Sequence, residues 1–327
     1  MRDIEELREL REYDAGVPPL DDAVRARVRA RLLAAVTAED EPLLAVRHRR
    51  PAVRIVATAL LVTALLGSIL VAGAGGPARH PAMRNAAAQT VLNGAARYAR
   101  QHEQAAHPRD DQFVYTRETI RETDRKTGAT TTYTDEDWRS VDGTRPSWIM
   151  EIGKGWWAQP LPPGQILWPP EDWASLRKLP TDPEKLIVAL VPGGVPATKG
   201  DPLRMISDQQ WSQVHYALAG MLKLVPVMPK GLRPAAFEAL GMVPGAKLVP
   251  RQKDARGRTG VAVAYDDPTR PGGGTDSAGY FIFDPKTYEF LGFRDERVSG
   301  EGAAKKDFTQ LSSLDSWAVV DKAKQRP

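Results

Sequence analysis

FVYTRETIRETDRKTGATTTYT, residues 113–134, decides the fold. Phe113–Thr123 is rich in β-branched and aromatic residues, Lys126-Thr127-Gly128 reads as a turn, and Thr130–Thr134 reads as the return strand. A connection this short joins antiparallel neighbours and leaves no room for a crossover helix. Trp138–Val141 and Ser147–Ile152 extend the pattern as two more strands, joined through Asp142-Gly143. The region is expected to be an antiparallel meander.

Toward the C-terminus the chain changes character. Pro160, Pro162, Pro163, Pro169 and Pro170 make a long irregular loop. Thr181-x-x-Glu184 reads as a capping box with Pro183 in the first turn, opening a helix to about Val191. Ser207-x-x-Gln210 opens a longer helix whose stripe of Trp211, Val214, Leu218, Leu222 and Val225 faces a core. A short helix follows at Pro234–Leu240. Strand signals return at Lys247–Arg251, Gly260–Tyr265, Gly279–Asp284, Phe290–Arg297 and Ser316–Val320, with hairpin loops at Asp254-Ala255-Arg256-Gly257 and Pro285-Lys286-Thr287. Strands, helices and strands in that order predict an α+β domain, an antiparallel sheet packed against helices, rather than a βαβ repeat.

Toward the N-terminus, an Ala-rich helix is expected over Met83–Gln104, and before it lies the run AVRIVATALLVTALLGSILVAGAGG, Ala52–Gly76. No charge occurs from Ile55 to Ala78. A helix over Val53–Ala74 would be about 33 Å long, enough for a bilayer core of about 30 Å. Core helices rarely stay apolar on every face for so many turns, and signal peptides have short leaders, so an uncleaved signal-anchor is expected. Arg47, Arg49, Arg50 and Arg54 precede the run, and only Arg79 and Arg84 follow within a similar distance. The positive-inside rule then gives an N-in, C-out protein of the cell membrane: residues 1–50 a cytoplasmic helical tail, 51–76 one transmembrane helix, 77–327 an extracytoplasmic domain. In the tail, Val24, Val28, Leu32 and Val36 form an apolar stripe at i, i+4 spacing. Either the stripe docks on a cytoplasmic protein, or the tail is a solvated segment.

Composition excludes more than it assigns. The chain has 327 residues, no cysteine and a net charge of +4. Disulfides, thiolate catalysis and Cys-ligated metals are ruled out. Charges up to Arg54 cancel, and the remaining excess is spread out, so no nucleic-acid footprint exists. The five histidines form no H-E-x-x-H or other ligand spacing, and His215 sits beside a core stripe. Lys199 lacks the glycine before it and the Ser/Thr after it that a P-loop needs, and no G-x-S-x-G occurs. Neither an enzyme nor a cofactor is expected. Six of the eight tryptophans lie between Trp138 and Trp173. Most are expected to fill a core. Leu161, Ile166, Leu167 and Trp168, inside the proline-rich loop, are the candidates for a ligand surface, since tryptophan makes flat amphipathic contacts and proline stiffens the segment.

Leu179-Pro180-Thr181-Asp182-Pro183, the helix Asp208–Val225, the run Leu240–Val249 with Val243-Pro244-Gly245, Gly260-Val261-Ala262-Val263-Ala264 and Phe283-Asp284-Pro285 carry a resemblance. With the Arg-rich tail and the span, the chain resembles a family of actinobacterial single-pass membrane proteins often encoded beside extracytoplasmic-function sigma factors. That implies an anti-sigma-like regulatory role with a sigma factor as cytoplasmic partner. The tail is shorter than an anti-sigma module and has no Cys motif. More loosely, the element order is similar to lipoprotein-carrier and sigma-regulator sensor domains. These imply a curved, half-barrel-like sheet whose apolar face holds a lipid or a protein partner. Two readings follow: an outer domain that senses an envelope component and signals through the tail, or a tethered lipid- or lipoprotein-binding module with an inert tail.

Overall fold

The computed structural model describes residues 85–160, 162, 168–195, 200–267, 269, 279–299 and 305–327. The tail stripe Val24, Val28, Leu32 and Val36, the span 51–76 and the loop residues Leu161, Ile166 and Leu167 lie outside the described residues. Among the described residues no helix is long and apolar enough to cross a membrane.

The domain is α+β. It opens with helix α1 (Ala86–Gln101), then strands β1 (Phe113–Asp124), β2 (Thr130–Ser140), β3 (Ser147–Glu151) and β4 (Lys154–Ala158). Helices α2 (Trp173–Leu176), α3 (Pro183–Leu190), α4 (Asp208–Leu224) and α5 (Leu232–Met242) follow, with a 3-10 turn at Pro202–Met205. Strands β5 (Ala246–Lys253), β6 (Thr259–Tyr265), β7 (Tyr280–Phe283), β8 (Phe290–Ser299) and β9 (Lys306–Val320) complete it. Among the described residues nine strands form one antiparallel sheet in the order β4-β3-β2-β1-β9-β8-β7-β6-β5. It is open, with β4 and β5 at its edges.

Local chemistry explains most boundaries. The Ser207 hydroxyl accepts from Gln210 N while the Gln210 side chain takes Ser207 N, the reciprocal cap expected of α4. Three expectations are corrected. Helix α1 starts later than Met83, because the Asn85 side chain accepts from the amides of Ala87 and Ala88 and fixes the first turn there. Asp182, not Thr181, caps α3, taking the amide of Lys185. Thr130–Thr134 and Trp138–Val141 are one strand: an unbroken register from Phe113–Ser140 to Thr123–Thr130 carries β2 along the whole of β1. Two stretches exceed the reading. Lys154–Ala158 is an additional strand turned at Gly153, whose φ is +74°, and β9 is far longer than Ser316–Val320 because all of β1 pairs with it.

The helices cover one half of the sheet. Leu92, Ile187, Leu190, Leu218, Met221, Leu232 and Phe237 are fully buried in a core that includes Val263, Phe281 and Phe283 of the β6–β7 strands. On the other face of those strands, Ala262, Ala264, Tyr280 and Ile282 make a smaller cluster with Leu291 of β8. The β1–β4 half is built differently. Phe113, Tyr115, Trp138 and Val320 cluster on one face, covered by the C-terminal segment. There the Trp138 indole Nε1 donates to the Gln325 carbonyl at 2.5 Å, Lys324 Nζ sits 3.5 Å above the Trp148 ring, and Arg326 pairs with Glu136 at 2.6 Å.

Candidate functional site

The two halves meet over a recess of about 560 Å³, within the size range of small-molecule sites. Its floor is the face of the sheet formed by alternate residues: Thr116, Glu118 and Ile120 of β1, Asp137 and Arg139 of β2, Phe293, Asp295 and Arg297 of β8, and Gln310 of β9. This is the period-two consequence of strand geometry. The roof is a second face of α4. The stripe Trp211, Val214, Leu218 and Leu222 is buried in the core as expected, while Tyr216, Ala219, Gly220 and Lys223, at i, i+3, i+4 and i+7, line the cleft. Ile149 of β3 and Trp156 of β4 form a side wall. Pro169 closes in against Gly220, where any Cβ would collide with the proline ring, so glycine sets how near this segment lies to α4.

The charges on the floor are largely paired with one another. Arg139 reaches Asp137 Oδ2 at 3.2 Å and Glu171 Oε2 at 3.0 Å. Lys223 Nζ lies 2.5 Å from Asp295 Oδ1 and 5.1 Å from the centre of the Phe293 ring. Arg297 pairs with Glu151. Asp137 Oδ1 accepts from Met150 N at 2.6 Å, and Asp135 Oδ1 from Gly153 N at 2.8 Å. These two carboxylates stitch β3 to β2 beside the Trp138–Trp148 register pair, and burial pushes both carboxyl groups above their ordinary range.

Glu118 is different. It opens on the cleft yet is walled in by protein, and it makes no hydrogen bond or ion pair with the described residues. Burial, with Asp137 and Asp135 adding repulsion against the opposing pull of Arg139, pushes its carboxyl up to about 7. Gln310 is a second unmet group: 5% exposed, it donates from Nε2 to Ser312 Oγ at 3.0 Å, while its Oε1 has no partner.

The expected residues fall as follows. Trp168 is 44% exposed and is joined by a cis peptide to Pro169, which lines the cleft. Trp138 and Trp173 are core, Trp148 and Trp157 pack edge to face at 5.4 Å, and Trp156 faces the cleft. His215 is half-buried, stacked on Tyr265 at 3.7 Å and pushed down to about 3 by desolvation, a neutral histidine beside the core. Glu118, Lys223, Asp295 and Gln310 were not singled out by the sequence. Their signal is weak: each is a polar residue on a strand or helix face that reads as the solvent side. Among the described residues no cluster of three or more His, Cys, Asp or Glu is placed to hold a metal.

No family model matches the chain, and no curated protein matches it. Among solved structures, a LolA superfamily protein from Nitrosomonas europaea aligns at 10% identity and a TM-score of 0.20, over 73% of this chain and 94% of that one. At that score the likeness carries neither fold nor function across.

Proposed function

We propose that residues 85–327 form a ligand-binding module that holds an apolar or amphipathic small molecule in the cleft between α4 and the sheet. In this reading the apolar run 51–76 tethers the module to the outer side of a bacterial cell membrane. The observation that carries it is the cleft itself: Tyr216, Ala219 and Gly220 on the roof and Ile149 and Trp156 on one wall, over a polar floor, with the cations of roof and floor already held by carboxylates. Groups that hold each other in place orient a ligand; they are not poised to attack one. Binding is therefore favoured over catalysis. The tethered-module reading needs only the span and the cleft. The signalling reading, with a sigma factor docked on the stripe Val24, Val28, Leu32 and Val36, needs the tail as well, so the tethered module is preferred.

The test uses the full-length chain in lipid nanodiscs and 8-bromooctanol, whose bromine quenches a tryptophan it touches. All tryptophans lie beyond the apolar run, so quencher dissolved in the bilayer does not reach them by way of the span. Saturable quenching is expected that is lost on Trp156→Phe, and Ile149→Trp, which fills the cleft, should weaken binding about tenfold. Quenching that never saturates, or that ignores Ile149→Trp, overturns the reading.

A further inference from the structure

The cleft offers an occupant more acceptors than donors. Its three cations are spoken for: Arg139 by Asp137 and Glu171, Lys223 by Asp295, Arg297 by Glu151. An anionic head entering the cleft would have to break one of these pairs and leave a carboxylate unmatched, a costly exchange away from bulk water. What stands unmatched is Glu118. Asp135 and Asp137 stand beside it on β2 and add repulsion, with Arg139 the opposing charge; Asp315 of β9 acts only from a distance, since it is bonded to Thr119 and paired with Arg256. The local field is negative.

Gln310 gives the second, independent mark of a missing partner. It is nineteen-twentieths buried, lines the cleft, and leaves Oε1 unbonded. Turning the amide over would exchange the orphaned oxygen for an orphaned nitrogen, so one polar atom lacks a protein partner in either setting. Glu122 of β1 stands opposite Gln310, four residues along from Glu118. At about 3.3 Å per residue the two unmet groups are therefore about 13 Å apart along the strands. Ile120 and Phe293 lie on the floor of the same cleft. We propose that the cleft selects an amphiphile headed by a protonated amine, the ammonium seated on Glu118 and the apolar body running beneath α4 toward Gln310.

The inference rests on the binding reading above and adds a proton to it. The free Glu118 carboxyl is half protonated near pH 7. An ammonium beside it favours the carboxylate, so binding near neutrality expels that proton. Affinity for an amine then rises from pH 5 to pH 8, where Glu118 is already ionised.

Calorimetric titration of octylamine, octanol and octanoate into the full-length chain in nanodiscs, with empty nanodiscs subtracted, tests this. Octylamine is expected to bind about tenfold tighter than octanol at pH 8, with the advantage shrinking toward pH 5 and octanoate weakest. At pH 7, titration in buffers of different ionisation heat should show about half a proton released per octylamine bound. Glu118→Gln should abolish both the preference and the release. Should that variant fail to fold, proton release by the parent chain still decides. Octylamine and octanoate binding alike, or octylamine binding without proton release, overturns the amine selection. It leaves the cleft reading standing if Ile149→Trp still blocks octanol. If none of the three probes binds, both fall together.

Discussion

The helix-covered half of the sheet and the tryptophan-rich half are held together by different means. In the first, Phe281 and Phe283 of β7 meet Phe237 of α5 and Phe290 of β8 in an aromatic cluster, with ring centres 5.7 to 5.9 Å apart. In the second, side-chain carboxylates take over part of the β2–β3 seam, and a C-terminal segment lies across tryptophans that would otherwise face water. Stability resides in a continuous apolar core. The cleft forms where that core gives out and polar groups remain beneath a helix. One sheet thus anchors the fold with one half and presents a site with the other.

The largest effect is expected where the contrast is strongest. Phe283 is fully buried, so Phe283→Ala should cost about 3–5 kcal/mol in a urea unfolding curve of the full chain. Trp157 on the other half is 45% exposed, and Trp157→Ala should cost about 1 kcal/mol or less. Equal losses would show that the two halves are stabilised alike.

A smaller effect, with a sign set by pH, is expected at Glu118. Its folded carboxyl titrates at about 7 against an ordinary 4.5, so the folded chain holds more protons than the unfolded one between those values. Stability therefore falls as pH rises through that window, by at most about 3 kcal/mol, since cleft water screens part of it. Glu118→Gln should match the parent below about pH 4.5 and be the more stable protein at pH 8. A variant less stable than the parent at pH 8 would mean that the carboxylate is held by a favourable contact, and the cleft would not be the unmatched half.

What could be read in the chain was what the chain decides locally. The reciprocal cap at Ser207 and Gln210, the stripe of α4, the turn at Asp142-Gly143 and the hairpin at Asp254–Gly257 each depend on residues a few positions apart. The pairing of β1 with β9 joins residues about 190 positions apart, and no local pattern announces it; the full length of β9 went unread with it. The cleft was illegible for a related reason. Thr116, Glu118 and Ile120 alternate like any strand with one wet face, and only the arrival of α4 from another part of the chain turns that face inward. The concentration of tryptophan did point to the right half of the domain, but it is Trp156, on a strand that sequence did not reveal, that reaches the recess.

Trp168 carries the smallest expected effect and the sharpest question about where the binding half ends. At 44% exposure its indole has little to lose from truncation, whereas its neighbour Pro169 is pinned against Gly220 at the cleft. Trp168→Ala should therefore lower the domain's unfolding free energy by about 0.5–1 kcal/mol, well short of the 3–5 kcal/mol of a core aromatic. If the exposed indole also touches a ligand at the mouth of the cleft, the same substitution should weaken 8-bromooctanol binding by about 1–3 kcal/mol, the loss typical of an aromatic anchor. Thermal melts and quenching titrations on one preparation separate the two effects. A fall in melting temperature comparable to that of Phe283→Ala would place Trp168 with the core. Unchanged stability and unchanged binding would place the edge of the site at Pro169.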